Sequence, residues 1–152
     1  MPTYVCAVPP KLLTDEQKDR IAAAISRRHG EATGAPSFFV QVVVQESESV
    51  RRYLGGQPAD NHIWIRGDIR AGRPEEVRGR LMLSIMKDVS AIAKVREDSI
   101  WVYLCNLEPT DMVEYGHVLP TPGKEQEWFE SLPASLQSYL KGLGARQDTL
   151  RL

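Results

Sequence analysis

The spacing of apolar residues changes twice in the first third of the chain. A β-rich run at residues 3–8 ends at a Pro-Pro pair, which predicts a strand followed by a turn. Apolar residues then recur at every third or fourth position behind a capping box formed by Thr14 and Gln17, so we expect a helix over residues 15–32. Residues 38–45 are aromatic and β-branched almost throughout, which predicts a second strand, buried on both faces.

The same order of elements follows a second time along the chain. Residues 46–61 carry glycine and proline and have few periodic apolar positions, which is typical of a crossing loop. We then expect a strand at residues 63–66, a tight connection at residues 70–73, a helix with Pro74 in its first turn and a strand at residues 100–104. The repetition indicates two β-α-β units.

An internal duplication explains this repeat. Residues 38–46 align with residues 100–108 without a gap, and both segments end in glutamate. Residues 2–46 and 61–108 are therefore expected to form the two halves of a single α+β domain. Tandem β-α-β units give a four-stranded, mainly parallel-paired sheet, and right-handed crossovers place both helices on one face. Residues 109–152 are a C-terminal extension of the same domain.

The second face of this sheet has no predicted cover within one chain. Strands as apolar as these need a layer on each face, so we expect oligomerisation to supply it. The C-terminal extension carries short predicted helices near residues 126–131 and 134–143 and could wrap a neighbouring subunit. The apolar pattern does not determine the number of subunits.

Composition and charge exclude several classes of partner. The 152 residues are 42% hydrophobic and 26% charged, as in an ordinary globular domain. A net charge of -1 with interleaved signs excludes an electrostatic footprint for nucleic acid, and no apolar run reaches the length of a membrane span. Without an export signal we expect a cytoplasmic protein, in which Cys6 and Cys105 are buried thiols rather than a disulfide or metal ligands.

Pro2 is the first candidate for chemistry. Removal of Met1 before a small second residue would leave Pro2 as a free secondary amine at the end of a strand. An α-amino group titrates at about 8, so a modest shift decides whether it is an acid or a base near neutrality. The alternative is a Met-Pro start without catalytic consequence.

Two arginines and one histidine are candidates for binding an anion. Arg70 and Arg73 lie before the second helix, and guanidinium groups match carboxylates in bidentate geometry. The alternative is a pair of solvated loop arginines. His29 falls on the apolar stripe of the first helix and points toward the sheet, where its ring needs a partner. A backbone carbonyl as partner would make this histidine purely structural.

Tyr103 and Glu114 are candidates for activating water. Tyr103 lies in the last predicted strand, and Glu114 follows in an irregular segment. A carboxylate and a phenol brought together near a cleft could orient and deprotonate a water molecule. The alternative for Glu114 is a solvated loop position.

As a set, these residues resemble the cis-3-chloroacrylic acid dehalogenases of the tautomerase superfamily. The similarity covers nearly the whole chain and includes the strand at residues 41–46, Ile100-Trp101-Val102-Tyr103 and Met112-Val113-Glu114-Tyr115-Gly116. The catalytic set of the family matches at six positions, which are Pro2, His29, Arg70, Arg73, Tyr103 and Glu114. Six scattered matches in order are far more specific than any one of them.

The resemblance implies a homotrimer that acts on a small unsaturated carboxylate without metal or organic cofactor. The two arginines, helped by His29, would hold the carboxylate and draw electron density from the double bond. Glu114 and Tyr103 would activate water for attack at the β-carbon, and protonated Pro2 would deliver a proton to the α-carbon. Hydration or dehalogenation of 3-substituted acrylates, with low-level tautomerase activity, is the expected reaction.

Some positions depart from the dehalogenase pattern and keep two alternatives open. Ala35 stands where the dehalogenases have a hydroxyl-bearing residue, and the loop at residues 46–63 is one residue shorter. A retained Met1 would turn the Pro2 nitrogen into an amide. The first alternative is a phenylpyruvate-type keto–enol tautomerase, and the second is a catalytically silent trimer that binds a small acid or a protein.

Overall fold

The computed structural model describes residues 2–148, with side chains as far as Leu143. In chain order the elements are β1 (Thr3–Val8), α1 (Asp15–Thr33), β2 (Gln41–Glu46), β3 (Tyr53–Leu54), β4 (Gln57–Pro58), β5 (Ile63–Arg70), α2 (Glu75–Ala93), β6 (Ile100–Leu107), β7 (Val113–Glu114), β8 (His117–Val118), α3 (Glu125–Ser131) and α4 (Ala134–Asp148). Short 3-10 turns precede β2, β6 and β7.

A mixed four-stranded sheet forms the centre of the fold. Its order is β2-β1-β5-β6, with β2 parallel to β1, β6 parallel to β5, and β1 antiparallel to β5. The two long helices pack against each other over one face, where Tyr4, Cys6 and Ile65 meet Ile25 and Ile85 in the core. The predicted α+β class, the mainly parallel pairing and the placement of both helices are confirmed.

The two long helices begin and end by different local signals. The Thr14 side chain accepts the Gln17 N–H at 3.2 Å, and the Gln17 side chain accepts the Thr14 N–H at 2.9 Å, so the predicted capping box is present. Gly34 ends α1 with φ of 70°, a conformation that glycine adopts without steric cost. α2 begins after Pro74 without a side-chain cap.

The second strand starts later than the sequence pattern indicates. β2 begins at Gln41 rather than at residue 38, because residues 37–39 form a 3-10 turn. The rings of Phe38 and Phe39 lie 4.4 Å apart, and Phe39 packs 5.6 Å from Trp128. These aromatic residues therefore build a second, smaller core beneath the C-terminal extension. Within one chain no residue of β2 is fully buried, so the expected burial on both faces is also wrong.

The third sheet strand is longer than predicted, and this changes the position of Arg70. β5 continues to Arg70 instead of ending at residue 66. A Cβ at Gly67 would lie 2.4 Å from the Tyr4 ring, so this glycine allows Tyr4 to pack across the neighbouring strand. Arg70 is thus the last residue of a strand, and only Arg73 belongs to the connection. β6 likewise extends to Leu107 rather than to residue 104.

The two halves repeat with a spacing of 60 residues. The long helices start at Asp15 and Glu75, and the 3-10 turns before the outer strands start at Ser37 and Glu97. The β7–β8 hairpin also begins 60 residues after the β3–β4 hairpin. The predicted alignment of residues 38–46 with 100–108 is therefore wrong by two residues. A shift of two preserves the alternation of a strand, so the apolar pattern could not reveal it.

The face of the sheet opposite the helices is uncovered in the single chain. Trp101 and Tyr103 are 45% and 49% exposed there. Cys6, on the helix side, is buried as expected, whereas Cys105 is only half-buried because it shares the uncovered side with Tyr103. Both thiols are free.

The C-terminal extension adds two helices beside the sheet domain. α3 begins at Glu125, one residue earlier than predicted, and α4 continues to Asp148 instead of ending at residue 143. α4 packs against the turn at residues 37–39. Within residues 2–148, none of the helices combines the length and the apolar character that crossing a membrane requires.

Candidate active site

A small cavity at one end of the sheet collects four of the six predicted site residues. Its lining consists of Pro2, His29, Ala35, Ile69, Arg70 and Arg73. The Pro2 carbonyl accepts the Gln41 N–H at 3.0 Å, which fixes Pro2 beside β2. The free volume is about 10 Å³, the room of about one water molecule. Ala35 lies in the cavity wall, beside the site as expected.

His29 is a neutral, buried ring in this cavity. α1 directs it toward the sheet, where it is 4% exposed and its Nδ1 lies 2.9 Å from the Tyr4 hydroxyl oxygen. Burial, reinforced by the positive charges of Arg73 and Arg70, lowers the pKa of His29 to about 4. The partner is a side-chain hydroxyl rather than the backbone carbonyl that a purely structural histidine would use.

Tyr4 is the hydrogen-bond partner of His29 Nδ1. Burial raises the pKa of Tyr4 well above its usual range, so its hydroxyl keeps its proton and is available to donate to Nδ1. When the hydroxyl donates, the neutral imidazole carries its own proton on Nε2. The strand alternation shows that Tyr4 faces the core, but nothing in the sequence pairs it with His29.

Arg73 reaches the cavity from the connection between β5 and α2. The Ala71 N–H donates to the Leu107 carbonyl at 2.7 Å, and the Arg78 guanidinium donates to the Arg73 carbonyl, which together hold this connection. Burial and then the charge of Arg70 lower the pKa of Arg73, and Glu125 opposes the shift. Two guanidinium groups therefore share one largely buried region.

Arg70 has protein partners that the sequence did not indicate. Its side chain is 3% exposed and donates to the Pro120 carbonyl at 2.8 Å and to the Glu125 carboxylate. Burial raises the pKa of Glu125, but the hydrogen bond and charge of Arg70 together with backbone hydrogen bonds outweigh it and leave that pKa below its usual value. Glu125 lies in the extension, more than 50 residues from Arg70, so local patterns could not associate them.

Glu114 lines a larger, neighbouring cavity of about 530 Å³. The β7–β8 hairpin carries it, and the Tyr115 hydroxyl ties this hairpin to the Phe38 carbonyl at 2.6 Å. The wall of this cavity includes Thr3, which directly follows Pro2. Glu114 therefore lies in the cavity next to that of Pro2 but does not line the Pro2 cavity itself.

Tyr103 lies away from the other candidates. It projects from β6 onto the uncovered sheet face, where its ring stacks on Trp101 with centroids 6.3 Å apart and meets Trp64 edge-on at 6.0 Å. These rings line a third cavity of about 460 Å³ at the opposite end of the sheet, together with His62. A single chain does not bring Tyr103 and Pro2 together.

The chemistry of the Pro2 cavity suits a carboxylate. The buried Arg70 and the half-buried Arg73 supply positive charge, and the neutral imidazole supplies an N–H donor. Among residues 2–148 no group of three or more His, Cys, Asp or Glu side chains is arranged to hold a metal ion. Removal of Met1, on which an amine at Pro2 depends, concerns a residue outside those described.

Comparison with protein families gives one match that spans most of the chain. Residues 1–131 match the family described as "Putative oxalocrotonate tautomerase enzyme". Among the curated proteins, none matches this chain.

Solved structures with the same fold include a relative similar over almost its full length. N1, a member of the cis-3-chloroacrylic acid dehalogenase family, is 33% identical with a TM-score of 0.89, and the match covers 92% of this chain and 99% of N1. A fused 4-OT symmetric trimer is 22% identical with a TM-score of 0.71, covering 77% of this chain and 94% of that one. Macrophage migration inhibitory factor of Toxoplasma gondii is 17% identical with a TM-score of 0.66, with 77% and 99% covered.

Proposed function

The chain belongs to the cis-3-chloroacrylic acid dehalogenase family of the tautomerase superfamily, and from this premise we propose that it hydrates or dehalogenates 3-substituted acrylates without a cofactor. The observation that carries the proposal is the lining of one cavity by Pro2, His29, Arg70 and Arg73. Once Met1 is removed, an amine, a neutral imidazole and two guanidinium groups around one space suit a small acid whose double bond is to be protonated.

The first task of the cavity is to bind and polarise the substrate. Arg73 and Arg70 take the carboxylate, and the neutral His29 donates from Nε2. Concentrating positive charge at the carboxylate withdraws electron density from the conjugated β-carbon, which makes that carbon electrophilic. Substrate must enlarge the cavity, because its present volume of about 10 Å³ holds only about one water molecule.

Water addition requires Glu114 and Tyr103. Glu114 faces the neighbouring cavity and takes the proton of the attacking water. Tyr103 projects from the uncovered sheet face, so we assign it to the site of an adjacent copy in a homotrimer. The uncovered aromatic face supports this assembly, as does the trimeric state of the fused 4-OT relative.

The atoms balance without an oxidant or a cofactor. The water oxygen bonds to the β-carbon, the water proton passes to Glu114, and protonated Pro2 gives its proton to the α-carbon. With a 3-chloroacrylate the product carries hydroxyl and chlorine on one carbon. That adduct loses chloride and a proton and becomes an aldehyde acid.

Keto–enol tautomerisation of a phenylpyruvate-type substrate is the second candidate. Pro2 alone could move a proton between oxygen and carbon, with the arginines holding the carboxylate. The position of Glu114 and Tyr103 outside the Pro2 cavity favours this simpler reaction. Ala35 in the cavity wall, in place of a hydroxyl-bearing residue, points the same way.

The test combines intact mass with two activity assays. The mass of the purified protein reports whether Met1 is removed. Chloride and aldehyde release from cis- and trans-3-chloroacrylate, and ketonisation of an enol pyruvate, are then compared between wild type and Pro2→Ala.

Each outcome selects one function. Pro2-dependent chloride release supports the hydratase-dehalogenase. Turnover of the enol alone supports the tautomerase, and no Pro2-dependent turnover after Met1 removal leaves a silent binding protein.

A further inference from the structure

The C-terminal extension holds Arg70 from outside the Pro2 cavity. One terminal nitrogen of Arg70 donates to the Pro120 carbonyl at 2.8 Å, and the other donates to Glu125. The side chain is 3% exposed, so these bonds form in a region with little water. Such charge-assisted bonds are stronger than neutral ones, and two of them fix the orientation of the guanidinium.

The remaining nitrogen of Arg70, Nε, is buried and has no hydrogen-bond acceptor among the described residues. A buried unpaired N–H is costly, and an incoming oxygen atom would relieve that cost. Because Arg70 lines the cavity that contains Pro2, the Nε–H is suited to a substrate carboxylate oxygen, while the terminal nitrogens remain occupied by protein.

Glu125 also limits the charge of the site. Arg70 and Arg73 are two cations that line one cavity, and His29 is neutral there. Glu125 lies against Arg70, and its negative charge is also felt by Arg73. One carboxylate against two guanidinium groups leaves a single net positive charge on these three side chains for the substrate carboxylate, in addition to the Pro2 proton that passes to the α-carbon.

The segment that carries Glu125 packs closely on the arginine connection. A Cβ at Gly72, whose φ is 100°, would meet the Pro122 ring at 3.1 Å. The Lys124 N–H donates to the Thr121 carbonyl at 3.1 Å, which shapes the turn before α3. Glu125 is therefore placed by packing as well as by its bond to Arg70.

We propose that Glu125 is a specificity-determining residue that restricts the Pro2 cavity to monocarboxylates. It occupies the outer edge of Arg70, leaves only the inner Nε–H for substrate, and removes the second positive charge that a dicarboxylate would need. The inference deepens the proposed function and rests on its assignment of the Pro2 cavity as the carboxylate site.

Binding of acrylate and maleate tests this directly, because the two differ by one carboxylate at the β-carbon. Calorimetric titration gives both dissociation constants for wild type, Glu125→Gln and Glu127→Gln. Glutamine keeps an oxygen acceptor for Arg70 but loses the charge. Glu127 is the matched control, because it lies in the same helix and pairs with Lys124 at 3.1 Å on the surface.

The expected result is a preference for acrylate in wild type and a shift of about tenfold or more toward maleate in Glu125→Gln, equivalent to about 1.4 kcal/mol. Glu127→Gln keeps the wild-type ratio, and Glu125→Asp, which retains the charge, keeps the acrylate preference. An unchanged ratio in a folded Glu125→Gln protein overturns the inference. So does a wild type that binds maleate as tightly as acrylate.

Arginine Nε–H NMR provides a second readout that does not depend on turnover. Acrylate is expected to shift the Arg70 Nε–H signal, and a titration that leaves this signal unmoved contradicts the proposed contact. Both experiments measure binding alone. A protein that binds acrylate selectively but lacks Pro2-dependent turnover would contradict the proposed reaction without contradicting this inference.

Discussion

His29 and Val89 occupy the same position in the two halves of the molecule. Each is the fifteenth residue of a 19-residue helix, faces the sheet and is almost fully buried, at 4% and 1% exposure. Val89 packs in the apolar core. His29 instead bonds to Tyr4 and faces two arginines.

The other candidate site residues also differ from their counterparts in the second half. By the 60-residue spacing, the counterparts of Glu114 and Tyr103 are Leu54 and Val43. The strand registers pair Thr3 with Gln41 and Trp64 with Trp101, which makes Ile63 the counterpart of Pro2. Each is apolar, and the Ile63 nitrogen is an ordinary amide within the chain. The cavity at that end is walled by aromatic rings instead.

The comparison separates what the scaffold needs from what the chemistry needs. The second half builds the same strands, helix and hairpin with apolar residues, so the fold does not require His29 or Glu114. A buried polar ring costs stability unless it is paired. Its presence in one half alone is better explained by a reaction confined to that end.

The largest effect is expected at Pro2. In Pro2→Ala the rigid secondary amine is lost, and kcat/KM should fall by about 100-fold or more, as for removal of a general acid. The counterpart change Ile63→Val should cost about 1 kcal/mol in the free energy of unfolding and leave kcat/KM unchanged. Steady-state kinetics and urea unfolding measure the two. Equal losses of activity in both variants would contradict the claim that the reaction depends on Pro2 and not on its counterpart Ile63.

Arg73→Gln should give the next largest effect. Losing a charge-assisted bond of about 1.5–3 kcal/mol raises KM for a carboxylate substrate by about 10- to 100-fold, with a smaller change in kcat. Arg80→Gln, on the exposed side of α2, is the control and should leave KM unchanged. A normal KM in Arg73→Gln would remove Arg73 from the carboxylate site.

Replacing His29 with valine, the residue at the same position of the second half, tests its buried neutral state through the pH dependence of stability. The folded pKa of about 4 lies below the ordinary value of 6.5, so the unfolded chain takes up the proton first as pH falls. The wild-type free energy of unfolding should therefore decrease as pH drops from 6.5 to 4. Tyr4→Phe combined with His29→Val should lose this dependence and should reduce kcat/KM by about tenfold. An identical pH profile in the double variant would contradict the buried neutral state of His29.

The smallest effect is expected from Tyr4→Phe alone. Loss of the hydroxyl removes the donor to His29 Nδ1, so the ring is no longer held in one tautomer. We expect a loss of about 1 kcal/mol in the free energy of unfolding and a few-fold rise in KM. Imidazole NMR should show both tautomers in the variant and the Nε2–H form in wild type. A single unchanged tautomer would show that Tyr4 does not position the ring.

Most of the fold could be predicted because it depends on local signals. The Thr14 capping box, the apolar stripe of α1 and the two β-rich runs each act over a few residues. The errors arose where a distant contact decided the local structure. Phe38 and Phe39 join the extension instead of β2, and β5 continues through Gly67, where the absence of a Cβ lets Tyr4 pack.

The site was less accessible to sequence reasoning for the same reason. Pro2, His29, Arg70 and Arg73 could be named as candidates, but their partners lie far away along the chain. The Tyr4 hydroxyl and the Glu125 carboxylate carry no motif that associates them with His29 or Arg70. Only packing brings them together, which is why two of the contacts that tune the site appear in the structure alone.

The central claim is that the reaction takes place only at the Pro2 end of the sheet. Its most direct test is a crystal structure of Pro2→Ala with cis-3-chloroacrylate. The account predicts one ligand per chain, with its carboxylate between the Arg70 Nε–H and Arg73 and its β-carbon toward Glu114. A ligand at the aromatic end beside His62, or a carboxylate that avoids both arginines, would contradict it.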